Sequence, residues 1–275
     1  MTFGLRSRKH ATALAALSLL ILAGCAAPPT VPPSSTISAS TPRPTAQATA
    51  TATENADIDN YAISIADIWI LSPGSGSQVI SPIEVEAVLQ AGADGHVIAE
   101  LSDQAGRLLM RQVLMLSTSE LRMLLPFEVS RPPMPARLTL RTVDSYGRTQ
   151  ALNSVELMLL AEGEASIVPG SEQAHITISQ PADGQRVPSS EITVSGTAYT
   201  ASHRPLTIQL ITREGRVLAV REVYPQGELS RPALFEAVFR IEVNEPTWVQ
   251  VAVTEHGQSV PGPAHFSAVE ILLEP

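Results

Sequence analysis

The sequence predicts an all-β protein made of two tandem β-sandwich domains, set behind a secretion signal and a spacer. Three observations lead there. Apolar residues recur at every second position, the period of a strand with one buried and one wet face. The same order of short sequence blocks occurs twice. Prolines and glycines gather at the ends of the alternating runs, where turns and sheet edges accept them. A chain of 275 residues that is 44% hydrophobic is globular in composition and long enough for two such domains.

The first element is a signal peptide over residues 1–24. Arg6, Arg8 and Lys9 open it with no acidic residue, and an apolar run from Ala11 to Ala23 follows. That run is shorter than the roughly 20 apolar residues a membrane-spanning helix needs, and its basic start fits a secretory signal. It ends Leu22, Ala23, Gly24, Cys25, which resembles the lipobox of bacterial lipoproteins. The resemblance implies that Cys25 is lipidated, as by palmitate, and becomes the mature N-terminus. Cys25 is also the only cysteine, so no intramolecular disulfide is expected. The implied location is the cell membrane or outer membrane, facing the extracytoplasmic side.

Residues 25–58 form the spacer. From Ala26 to Thr53 the chain is almost entirely Ala, Pro, Ser and Thr, with Arg43 as its charge. Such a stretch buries too little apolar surface to offset its ordering entropy and is expected to be disordered. Its prolines favour polyproline II, which at about 3.1 Å per residue reaches up to roughly 90 Å. Glu54, Asp57 and Asp59 form an acidic cluster ahead of the first strand. They are read as a solvated hinge, with calcium binding as the alternative.

The two domains are placed at 59–162 and 175–275, joined by a polar, glycine-containing linker at 163–174. Ile70, Pro73, Gly76 and Val79 match Ile178, Pro181, Gly184 and Val187 at a constant spacing of 108 residues. Gly106, Arg107 and Leu109 match Gly215, Arg216 and Leu218. Phe127 and Glu128 match Phe235 and Glu236, and Val155 and Glu156 match Val269 and Glu270. Inside each copy the alternation is regular. Ile83, Val85, Ala87 and Leu89 oppose Glu84 and Glu86; Leu121, Met123, Leu125, Phe127 and Val129 oppose Arg122 and Glu128. In the second copy Phe235, Ala237, Phe239, Ile241 and Val243 form one face. Val249, Val251 and Val253 oppose Trp248, Gln250 and Thr254. About seven such strands per hundred residues indicate a sandwich.

From Ile176 to Val187 and on through Ile192 to Ala198, the second copy resembles bacterial immunoglobulin-like domains, and in particular the Gmad2 type found in envelope lipoproteins. The first copy resembles them more loosely. The resemblance implies an immunoglobulin-like fold and no active site.

Chemistry is sparse. Lys9 is the only lysine, so Schiff-base, SxxK and Walker A chemistry lack their lysine in the mature chain. No HExxH or GxSxG motif occurs. Gly74 and Gly76 read as a turn between strands. His96, His175, His203, His256 and His265 share no ligand spacing and are read as surface or turn residues; a metal site assembled from distant loops is the other possibility. A net charge of −9 argues against nucleic-acid binding. Trp69 lies between Ile68 and Ile70, and Trp248 beside Val249. If the aliphatic faces point inward, both tryptophans point outward or into an interdomain contact, as partner-binding candidates. Otherwise each covers the end of its own core.

The expected function is therefore non-catalytic. A membrane-anchored lipoprotein, with no cofactor and no metal, binds or positions an envelope protein or glycan. The alternatives are a carbohydrate or cell-wall binding module and, less favoured, a hydrolase with a site built from loops.

Overall fold

The computed structural model describes residues 67–199, 203–229 and 231–275. Cys25, the spacer and the cluster of Glu54, Asp57 and Asp59 lie outside the described residues. Among the described residues are sixteen strands and no helix, so no helix long and apolar enough to cross a membrane.

The first eight strands are β1 (Ile68–Ser72), β2 (Gln78–Val79), β3 (Ile83–Leu89), β4 (His96–Asp103), β5 (Leu108–Met115), β6 (Glu120–Leu125), β7 (Met134–Val143) and β8 (Thr149–Leu159). The next eight are β9 (Ile176–Gln180), β10 (Arg186–Pro188), β11 (Ile192–Tyr199), β12 (Leu206–Thr212), β13 (Val217–Val223), β14 (Pro232–Phe239), β15 (Thr247–His256) and β16 (Pro263–Glu274). In the first half β1-β3-β6 form one sheet, and β5-β4-β7-β8 run in the other with β2 parallel to β8. In the second half β9-β11-β14 and β13-β12-β15-β16 repeat that order, with β10 parallel to β16. The sequence repeat is thus a repeat of strand pairing. Its order, antiparallel apart from the short parallel edge pairs, is that of immunoglobulin-like sandwiches.

The alternating residues close two cores. Ile83, Val85, Ala87 and Leu89 face Leu101, Leu138 and Leu157 in the first. Ile192, Val194, Phe235 and Phe239 pack with Val249, Val251 and Val253 in the second. β6 ends at Leu125 and β14 at Phe239, earlier than the alternation suggests. Phe127 and Val129, like Ile241 and Val243, still pack on their cores from outside the strands. The matched glycines Gly76 and Gly184 have φ of 88° and 74°, a left-handed backbone that a side chain resists. That is the reason both copies carry glycine there.

One strand differs from the sequence expectation. On β15, seven consecutive residues from Val249 to Glu255 are buried. Gln250 and Thr254, expected to be wet, are buried instead, and Gln250 Nε2 donates to the Thr149 carbonyl of the first half at 2.8 Å. The segment 163–174 is strapped along the first half: Ser166 and Gln78 exchange backbone hydrogen bonds at 2.9 and 2.8 Å, and Gly170 N donates to Leu71 O at 2.8 Å.

β8 meets β16 through the pair Leu152 and Phe266, which joins the two larger sheets edge to edge. Around this contact the seam is charged. Glu270 accepts from Arg148 and from Arg213, both at 2.7 Å, and Arg148 is itself held by Asp144 at 2.7 Å. The Arg213 guanidinium lies 5.0 Å from the Tyr146 ring centre and 4.6 Å from that of Trp248, within cation–π range.

Candidate functional site

The other end of the seam holds a second polar cluster, and it starts from one buried cation. Arg137 on β7 is 2% exposed, as the alternation of β7 turns it toward β16 rather than to water. Its Nη2 donates to Glu156 at 2.9 Å; its Nη1 donates to the Gly262 and Pro263 carbonyls at 3.0 and 3.3 Å. A Cβ on Gly257 would coincide with this guanidinium, so a side chain at that position of the β15–β16 turn would displace Arg137. Burial alone would raise the Glu156 carboxyl. Hydrogen bonds with Ser259 and Arg137, and the Arg137 charge, nevertheless hold it below its ordinary value.

Glu255, near the end of β15, is buried, and its Oε2 has no hydrogen-bond partner. Burial pushes its carboxyl up to about 7, against the opposing pull of Arg137.

Beside it two imidazoles lie face to face. His175 immediately precedes β9 and His265 lies on β16; their ring centres are 3.4 Å apart with planes 3° from parallel. His175 Nδ1 is 3.0 Å from the Tyr199 carbonyl, and His265 Nδ1 is 3.0 Å from Asn153 Oδ1. The Asn153 amide is oriented by donating Nδ2 to the Ile68 carbonyl at 2.7 Å and accepting from Ser154 N at 2.9 Å. Both acceptors are oxygens without a hydrogen, so each Nδ1 carries the proton and each Nε2 keeps its lone pair. Burial lowers the His175 pKa despite the Tyr199 carbonyl. Burial, then the charges of His175 and Arg137, hold His265 well below the usual imidazole value. Two neutral rings stack where two cations would repel.

One potential ligand atom from each of His175, Glu255 and His265 lies within 4.8 Å of the other two. His175, His265 and Asn153 form a partition between two clefts, of about 310 Å³ toward Asp67 and Thr177 and about 900 Å³ toward Glu156 and Ser259.

The surface-or-turn reading of the histidines needs correction for this pair. His203 and His256 are exposed, and His96 is half-buried with Nδ1 3.1 Å from Asp94. His175 and His265 instead converge at the seam. No sequence spacing reveals this, since ninety residues separate them and only the juxtaposition of β9 and β16 joins them. One signal was available. Aligning the repeat puts Asp67, Ser145 and Ala151 opposite His175, Glu255 and His265, so all three cluster residues are departures of the second copy from the first.

The tryptophans are not brought together. Trp69 is half-buried on β1, with its indole Nε1 enclosed and unpartnered. Trp248 is half-buried on β15 beneath Arg213, in a different sheet.

Fold and site define the class of protein: an all-β, immunoglobulin-like sandwich protein with a buried polar cluster at a seam between sheets. No family model and no curated protein matches the chain. Among solved structures it is similar to red sea bream transglutaminase, with TM-score 0.27 and 10% identity, covering 77% of this chain and 32% of that one. It is also similar to bovine butyrophilin, with TM-score 0.22, 13% identity and coverage of 76% and 100%. A third is the GBS pullulanase SAP in complex with maltotetraose, with TM-score 0.16, 11% identity and coverage of 64% and 21%. Likenesses this distant bear on neither activity nor ligand.

Proposed function

We propose that this chain is an envelope lipoprotein, anchored through Cys25, whose two tandem immunoglobulin-like modules bind or position another envelope component without catalysis. The second module is taken as Gmad2-like. The supporting observation is the seam. Two modules on a free joint need no buried arginine between them, whereas Arg137, Arg148 and Glu270 bond across it. Buried ion pairs add little net stability over apolar packing, but they specify one arrangement. A fixed arrangement holds two surfaces at a set spacing, which suits a scaffold on a long tether.

The anchor is tested by Cys25→Ala, which is expected to abolish fatty-acid labelling and membrane retention; unchanged retention defeats the lipoprotein reading. The partner is tested by crosslinking mass spectrometry in the native membrane with wall fragments retained. A reproducible protein partner, lost on deletion of residues 59–275, supports the scaffold. Recovery with glycan and no protein supports a carbohydrate-binding module instead.

The convergence of His175, Glu255 and His265 favours a second reading, a hydrolase with a loop-built site. Two hydroxyls lining the larger cleft are engaged elsewhere: Ser154 Oγ donates to the Ala264 carbonyl at 2.7 Å, and Ser259 is bonded to Glu156.

A further inference from the structure

We propose that His175, Glu255 and His265 form a binding site for a divalent transition metal of the zinc class. Two imidazole nitrogens and one carboxylate oxygen make a ligand set that zinc takes in three-ligand sites, leaving a further position for water or another ligand. The three ligand atoms already lie within 4.8 Å of one another. In a tetrahedral site with bonds of about 2.0–2.2 Å they would stand roughly 3.4 Å apart, so closure needs a contraction of at most about 1.4 Å.

Three features prepare the residues for this. Each Nδ1 is committed to an oxygen, Tyr199 O for His175 and Asn153 Oδ1 for His265. That leaves both Nε2 lone pairs free and orients the rings, the usual outer-shell arrangement of metal-bound histidine. Asn153 is itself anchored to Ile68 O, so the support extends into the β1 backbone. Glu255, the third member of the cluster, has a buried carboxylate oxygen, Oε2, with no hydrogen-bond partner, so an acceptor is left unmet.

The nearby positive charge does not stand alone, because Arg137 is paired with Glu156 at 2.9 Å. Nor does the fold itself demand the cluster, since the equivalent positions of the first half are Asp67, Ser145 and Ala151. The clefts beside the histidines provide an entry path. Lone pairs lie in the ring plane, and parallel planes do not meet. Binding therefore requires the two stacked rings to splay apart about their Nδ1 hydrogen bonds.

The test uses the full-length chain, stripped with a chelator and titrated with Co²⁺ and then Zn²⁺. The expected result is one equivalent of Co²⁺ with visible d–d absorption of a low-coordinate site, displaced by Zn²⁺. Glu255→Gln, nearly isosteric, and His265→Ala are each expected to lose at least about 100-fold in affinity. Asn153→Ala, which removes outer-shell support, is expected to lose about tenfold. Thermal melts of the metal-free variants identify any that fail to fold. If His265→Ala does not fold, Glu255→Gln decides. Absence of a stoichiometric Co²⁺ spectrum in the wild type, or wild-type affinity in folded Glu255→Gln, overturns the site.

Discussion

Arg137 is the residue on which the seam depends most directly. It is enclosed, its charge is met by Glu156 through Nη2, and its Nη1 holds the carbonyls of the β15–β16 turn, while its Nε is buried without a partner. Removing one partner of a buried pair costs far more than the pair contributes, because the other polar groups are left behind. Arg137→Ala is therefore expected to destabilise the protein by about 3 kcal/mol, read as a lower urea midpoint at unchanged slope. Gly257→Ala, which drives a methyl into the same guanidinium, is expected to act in the same direction. None of this is visible from the sequence, where Arg137 is one of many arginines on an alternating run. Burial of a charge depends on what covers the strand, and the covering turn lies over a hundred residues away.

At the scale of elements, the alternating apolar residues of β3, β6, β11 and β14 were legible, because a strand with one wet face writes its period directly into the sequence. The repeat was legible for a related reason: Gly76 and Gly184 answer the same backbone requirement twice. β15 departs from its written period on one face. Gln250 and Thr254 are polar, yet both are buried, and polarity records which side chains tolerate water rather than which are wet. The segment 163–174 reads as a linker from its glycines and polar residues, while the bonds that hold it run through its own backbone, to backbone groups of Gln78 and Leu71 and to Ser77 Oγ. The edge pairing of β8 with β16 is reinforced by Glu270, and this carries a pH signature. The hydrogen bond from Arg213, against desolvation, and then that from Arg148 hold the Glu270 carboxyl below its ordinary 4.5. A depressed folded pKa means that its stabilisation is fully present above 4.5 and is lost as pH falls through the lower folded value. Glu270→Gln is expected to cost roughly 1–2 kcal/mol near neutral pH, with the gap to wild type closing on acidification. A gap that does not change with pH in paired denaturation curves would remove Glu270 as its source.

At the scale of the whole molecule, the question is whether two cores make one cooperative unit. Each half closes its own core, from Ile68 to Leu159 and from Ile176 to Leu273, so each has the apolar content to unfold separately. What opposes separation is the seam. Unfolding one half alone would break the bonds from Arg137 to the Gly262 and Pro263 carbonyls, break the Arg148–Glu270 pair and uncover Gln250 on β15. Coupling of several kcal/mol between modules of ordinary stability is enough to merge their transitions. Calorimetry of the intact chain is therefore expected to show one transition with calorimetric and van't Hoff enthalpies in agreement. The double variant Arg137→Ala, Arg148→Ala, which removes both cross-seam cations while leaving both cores intact, is expected to split it into two. Two transitions already present in the wild type would mean that the halves move as beads on a string, and a fixed spacing between their surfaces could not then be the basis of function.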